Sequence, residues 1–137
     1  MGSLFFEVVT PEKVLVSQEV DSVVAPGSEG EFGVLPGHIH FLTGIVPGEV
    51  RYNRGETKES MVVSSGFAEV SNDKVSILVD AAEKGGDVDV KRAQQAMERA
   101  RERLAKDRKT EEIDFLRAEA ALIRAVARIK VAEKAAI

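Results

Sequence analysis

The apolar positions of this chain follow two rhythms, and the change falls near residue 86. Upstream, short runs rich in Val, Phe and Ile are punctuated by turn residues. The runs are FFEVV at 5–9, KVLV at 13–16, VDSVVA at 20–25, HIHFLTGIV at 38–46, EVRY at 49–52, MVVSS at 61–65, FAEV at 67–70 and KVSILV at 74–79. The punctuation includes Thr10-Pro11, Pro26-Gly27, Pro36-Gly37, Pro47-Gly48, Gly55, Gly66 and Asn72-Asp73. Turn signals every 8–12 residues or so belong to a sandwich or barrel. Val75, Ile77 and Val79 alternate with Ser76, Leu78 and Asp80, as in a strand with one better-buried face. The prolines exclude a continuous helix. An antiparallel β-sandwich over residues 1–86 is predicted.

Downstream, the spacing is helical. Val90, Ala93, Met97, Ala100 and Leu104 make one narrow seam. Asp87 or Asp89 can cap its start, because a carboxylate accepts from the orphan amides of the first turn. The polar stretch 106–110 interrupts the seam, and Thr110 can cap a second helix. There Phe115, Ala118, Leu122, Ala125, Ile129 and Ala132 form one stripe, with Leu116, Ala120, Ile123, Ala127 and Val131 beside it. Two stripes need two partners: the first helix, and either the sandwich or another subunit. The prediction is an α+β chain whose residues 87–137 form an antiparallel two-helix hairpin. Its alanine-rich seams remove little surface from water, so at ~25 cal/mol per Å² the hairpin holds weakly. A weakly held element can detach.

Composition sharpens the division. All 11 glycines and all 4 prolines lie within 1–86. That section carries 6 basic and 13 acidic residues, whereas 87–137 carries 13 basic and 10 acidic. The overall charge of −4 argues against a nucleic-acid binder. No apolar run reaches the ~20 residues of a membrane span, and MGSLFFEVV does not read as a secretory signal. There is no cysteine, hence no disulfide, thiol nucleophile or zinc thiolate.

Catalytic chemistry is hard to find. Neither GxxxxGK[ST] nor GxGxxG occurs, and the glycines of GSEGEFG read as tight turns. His38 and His40 flank a single residue without a clear third ligand, so no metal site is expected. Ser64 and Ser65 have no evident histidine base. The arginines are more informative. Arg92 and Arg99 share a face of the first helix, and Arg117, Arg124 and Arg128 a face of the second. Such rows either converge on an anion, which guanidinium binds bidentately, or form a solvated face.

GSEGEFGVLPGH at 27–38, SSGFAEV at 64–70, VSILVDAAEKG at 75–85, VDVKRA at 88–93 and IDFLRAEAALIRAVARI at 113–129 resemble the epsilon subunit of F-type ATP synthase. The resemblance covers essentially the whole chain in order. It implies a non-catalytic sandwich seated on the gamma subunit and the c-subunit ring. It also implies a C-terminal hairpin that, extended into the alpha–beta head, blocks ATP hydrolysis. Arg117, Arg124, Arg128, Lys130 and Lys134 would carry the positive charge toward that head. The implied place is the cytoplasmic face of the bacterial plasma membrane, with the thylakoid as the alternative and the membrane reached only through the complex. No cofactor is required, but some bacterial members bind ATP through Ile/Leu-Asp-x-x-Arg-Ala. Here that motif is Val88-Asp89-Val90-Lys91-Arg92-Ala93, with Val at the first position. The supporting positions are Glu83, Arg99, Arg124 and Arg128, with Asp89 fixing Arg92 across an i,i+3 spacing. Glu31 and His38 are the implied rotor contacts. The rival reading is a free-standing sandwich module with a coiled-coil oligomerisation tail.

Overall fold

The structure, a computed structural model, describes residues 2–37, 40–105 and 112–135, the side chains of 112–115 and 135 excepted. Ten strands come first: β1 (Leu4–Val9), β2 (Val14–Val20), β3 (Ser22–Gly27), β4 (Gly30–Val34), β5 (Phe41–Ile45), β6 (Gly48–Arg54), β7 (Thr57–Val63), β8 (Gly66–Ser71), β9 (Lys74–Val79) and β10 (Ala82–Lys84). A single 3-10 turn at Gly85–Asp87 leads into α1 (Val90–Ala105) and α2 (Glu112–Ala135). The strands pair in the order β10-β7-β6-β3-β5-β8-β9-β1-β2, with β4 added beside β3. Pairing is antiparallel with one exception: β1 runs parallel to β9.

The sheet folds over on itself. Leu4, Phe6 and Val8 on β1 and Val50, Tyr52, Met61 and Val63 on β6 and β7 belong to one buried cluster, although these strands stand far apart in the pairing order. The Phe6 and Tyr52 rings meet at 4.9 Å between centroids. Strand alternation supplies the inward side chains, as in Leu4, Phe6, Val8 and in Val75, Ile77, Val79.

Two strands escaped the sequence reading. GSEGEFGV contributes β4, paired with β3 from Val23↔Val34 to Gly27↔Gly30, so the stretch read as turns is mostly hairpin arm. Pro26 lies within β3, where that strand passes from β6 to β5 and an amide is dispensable. The second is the three-residue β10, too short for any periodicity. Asn72 and Asp73, both at positive φ (52° and 58°), close the β8–β9 hairpin as a two-residue turn.

In the hairpin, Ala93 and Ala100 of α1 and Ala118 and Ala125 of α2 are buried where the helices face each other. Among the described residues, it is the C-terminal half of α2 that packs against the sandwich. Val131 and Ala132 form a small buried cluster with Val62 of β7 and Val88, and Ala127 packs against it. The N-terminal part of the second stripe finds no cover: Leu116 and Ile123 are 55% and 48% exposed. Thr110 and the Phe115 side chain lie outside the described residues.

Candidate functional site

Two charged clusters fasten α2 to the sandwich, one on each side of the Val131 cluster. In the first, β10 pairs with β7 and carries Glu83 beside α2. Arg128 donates to it twice, Nε to Oε1 at 2.6 Å and Nη2 to Oε2 at 3.3 Å. Both side chains are about one-quarter to one-third exposed, so this bidentate pair is only partly screened.

Asp89 caps α1. Its Oδ1 accepts from the Arg92 amide at 3.0 Å, and its carbonyl accepts from the Ala93 amide. The expected i,i+3 link between Asp89 and Arg92 therefore runs to the backbone and not to the guanidinium. A carboxylate at a helix start competes for the nearest orphan amides, and those are two to three residues on. Arg92, Arg99 and Arg124 are exposed and form no ion pair with another described residue. Of the six candidate nucleotide residues, the structure joins Glu83 to Arg128, uses Asp89 as a cap and leaves Arg92, Arg99 and Arg124 without an ion pair among the described residues.

The second cluster was not foreseen. Glu49 on β6 is the one buried charged residue among those described. Lys134 donates to its Oε1 and Oε2 at 3.0 and 2.8 Å, Arg51 donates at 3.2 Å, and the Lys130 ammonium stands 3.9 Å away. Burial works to raise the Glu49 pKa, but the hydrogen bonds from Lys134 and Arg51 outweigh it and hold the carboxyl below its ordinary range. Arg51 is in turn bound bidentately by Glu31 of β4, which raises the already high guanidinium pKa. Sequence held one signal: Lys130 and Lys134 are a helical i,i+4 pair, and Glu49 and Arg51 share a strand face. Nothing linear connects the pairs. Arg128, Lys130 and Lys134, read as charge meant for a head, are engaged within the chain.

Glu31 is half-exposed on its strand, and His38 lies outside the described residues. A cleft of about 900 Å³ opens between β6–β7 and the 3-10 turn, bordered by Tyr52, Lys58, Glu59, Lys84, Gly86 and Lys134. Burial pushes the Tyr52 phenol upward, with a hydrogen bond to Glu59 adding to it. Leu42, Phe67 and Leu78 are exposed on β5, β8 and β9. Phe67 pairs with both Gly44 and Leu78, so the three project from one face. No helix among the described residues is long and apolar enough to cross a membrane.

The comparisons agree across the whole chain. Residues 3–85 match the family described as ATP synthase, Delta/Epsilon chain, beta-sandwich domain. Residues 87–133 match its long alpha-helix domain. The sequence is 56% identical over 128 residues to the ATP synthase epsilon chain of Syntrophobacter fumaroxidans, covering 93% of this chain and 94% of that one. It is 49% identical over 129 residues to the epsilon chain of Nitratidesulfovibrio vulgaris, covering 94% and 95%. In fold it is similar to a chain of the Euglena gracilis mitochondrial ATP synthase in rotational state 1. That match has a TM-score of 0.80 and 24% identity, covering 99% of this chain and 82% of the other.

Proposed function

As a member of the ATP synthase delta/epsilon chain family, the chain is a non-catalytic central-stalk subunit of a membrane-bound rotary complex, and on that premise we propose that its hairpin is a movable brake on ATP hydrolysis. The observation that carries this reading is how little holds the hairpin down. Its apolar attachment is a cluster of four small or medium residues, Val62, Val88, Val131 and Ala132, beside two ion-pair groups. Among the described residues, the sandwich core draws none from either helix. Such an attachment opens without unfolding the sandwich. In the extended state the exposed stripe of Leu116 and Ile123 supplies an apolar face for gamma, and the released Arg128, Lys130 and Lys134 meet acidic surfaces of the alpha–beta head.

The sandwich is the permanent joint in this scheme. The apolar patch of Leu42, Phe67 and Leu78 seats gamma, because an exposed cluster of that kind marks an interaction site. Glu31, at the base of the β3–β4 hairpin tip, faces the c-subunit ring, and His38 is the second candidate contact. The subunit then sits peripherally at the cytoplasmic face of the bacterial plasma membrane.

ATP acts as the regulatory ligand of the docked state. Arg92, Arg99 and Arg124 have no carboxylate partner among the described residues, and Arg128 shares its guanidinium with Glu83. A triphosphate satisfies all four and is stabilised by helices that are together only when docked. At a hundredfold excess over Kd, binding adds about 2.7 kcal/mol to that state.

Two measurements test the proposal. Complexes carrying a chain truncated after residue 87 should retain gamma binding and hydrolyse ATP faster; an unchanged hydrolysis rate rejects the brake. Calorimetry with millimolar ATP on the full chain should show binding heat that Arg92→Ala removes; no heat and no thermal stabilisation of the parent chain reject the nucleotide site.

A further inference from the structure

Arg51 stands between two carboxylates, and one of them holds the hairpin. Its guanidinium gives two hydrogen bonds to Glu31, Nη2 to Oε1 at 2.9 Å and Nη1 to Oε2 at 3.3 Å. The same Nη1 also donates to Oε1 of Glu49 at 3.2 Å. That Oε1 accepts from Lys134 at 3.0 Å as well. Arg51 and Lys134 therefore share one oxygen of one buried carboxylate, and each reduces the negative charge left for the other. Glu31 decides how much of the Arg51 charge is left for Glu49.

The sheet explains how the chain of charges forms. Glu49 and Arg51 are two residues apart on β6 and so project from the same face. Arg51 pairs with Val24 of β3, and Glu31 of β4 pairs with Pro26 of the same strand. The guanidinium must cross β3 to reach Glu31. Gly33, the β4 partner of Val24, has no side chain to stand in line with it. Charges alternate from the hairpin tip to the helix: Glu31, Arg51, Glu49, then Lys134 and Lys130.

We propose that Arg51 relays the state of Glu31 to the α2 latch: a cationic partner group that engages Glu31 frees Arg51 for Glu49, and the hairpin's hold weakens. Both consequences of losing Glu31 act in this direction. Arg51 neutralises more of Glu49, and its own uncompensated charge repels Lys134 and Lys130. A contact on the sandwich thereby reaches the helices through the Arg51 side chain, with no change of backbone. The physiological meaning rests on the reading that Glu31 faces the rotor. The relay itself is a property of this chain alone.

The test is a double-mutant cycle in two backgrounds, read by native-state hydrogen exchange of α2 amides in the full chain. Glu31→Gln should raise α2 opening about two- to fivefold, the range of a partly exposed ion pair. With Lys134→Gln and Lys130→Gln already present, Glu31→Gln should have no further effect. In an Arg51→Met background its effect should vanish, since the carrier is gone. Unchanged α2 exchange in Glu31→Gln overturns the relay. So does an effect that survives Arg51→Met, because that is a field acting directly. Sandwich amides are the internal reference, and an equal shift there also overturns it. The rotor assignment is judged separately, by proton-coupled ATP synthesis in complexes carrying Glu31→Ala. Exchange results as expected with synthesis untouched leave the relay standing and remove the rotor contact.

Discussion

Replacing Val131 with alanine should undo the hairpin without harming the sandwich. Val131 is fully buried and is the largest α2 side chain in the cluster with Val62, Val88 and Ala132. Losing two methyl carbons removes about 1.6 kcal/mol of transfer free energy, and an incompletely filled cavity brings the cost to about 2 kcal/mol. That is about a thirtyfold rise in the opening of α2. In a core the size of the sandwich, the same deletion is a modest fraction of stability. At this attachment it removes much of the apolar hold. Hydrogen exchange of α2 amides should accelerate accordingly, while amides of β1, β6 and β9 keep their protection, since no helical residue among those described belongs to their core. The effect should be the same at low and high salt, because no charge is touched. If the sandwich amides accelerate in step with α2, the hairpin is part of one cooperative unit and the reasoning about a detachable element fails.

Gly66→Ala should destabilise the sandwich by more than about 3 kcal/mol in denaturant unfolding, since its Cβ would lie 2.0 Å from the Leu78 carbonyl oxygen on the neighbouring strand. Gly55→Ala, in open space but at a φ of +61°, should cost only about 1–2 kcal/mol, and a reversed order of the two would contradict the steric account. Asp89→Ala should cost about 1 kcal/mol of α1 stability, seen as faster exchange in its first turn, whereas Asp89→Asn should retain most of the cap. Lowering the pH should release α2 before the sandwich unfolds. Glu49, facing Lys134, Lys130 and Arg51, with Glu31 beyond, has a depressed pKa, so its contribution is complete above the ordinary value of 4.5 and fades as pH falls through the lower native value. An exchange titration that places α2 release above pH 5 would assign it to another group.

Much of this protein is set locally. Strand alternation in LFFEVV and KVSILV, the Asn72-Asp73 turn and the alanine seams of both helices are decided by neighbours one to four residues away, so their periods can be read in the chain. The candidate arginines were legible for the same reason, as helical spacing puts Arg92 and Arg99 on one face. What the linear pattern leaves open is who covers whom. Read as a turn, GSEGEFGV contributes β4 because β3 offers it a free edge, and β10 exists only because β7 does. The parallel pairing of β1 with β9 joins segments almost seventy residues apart. Glu49 shows the limit most plainly. Its residue type forecasts an exposed side chain, and it is buried because α2 returns over β6 and brings Lys134 to within 2.8 Å. Burial of a carboxylate is tolerable only with such partners, and Lys134 lies 85 positions away in the chain. The sequence alone determined most of the elements and their amphipathic faces. Only the tertiary structure decided which charges meet, because ion pairing depends on distances that folding creates.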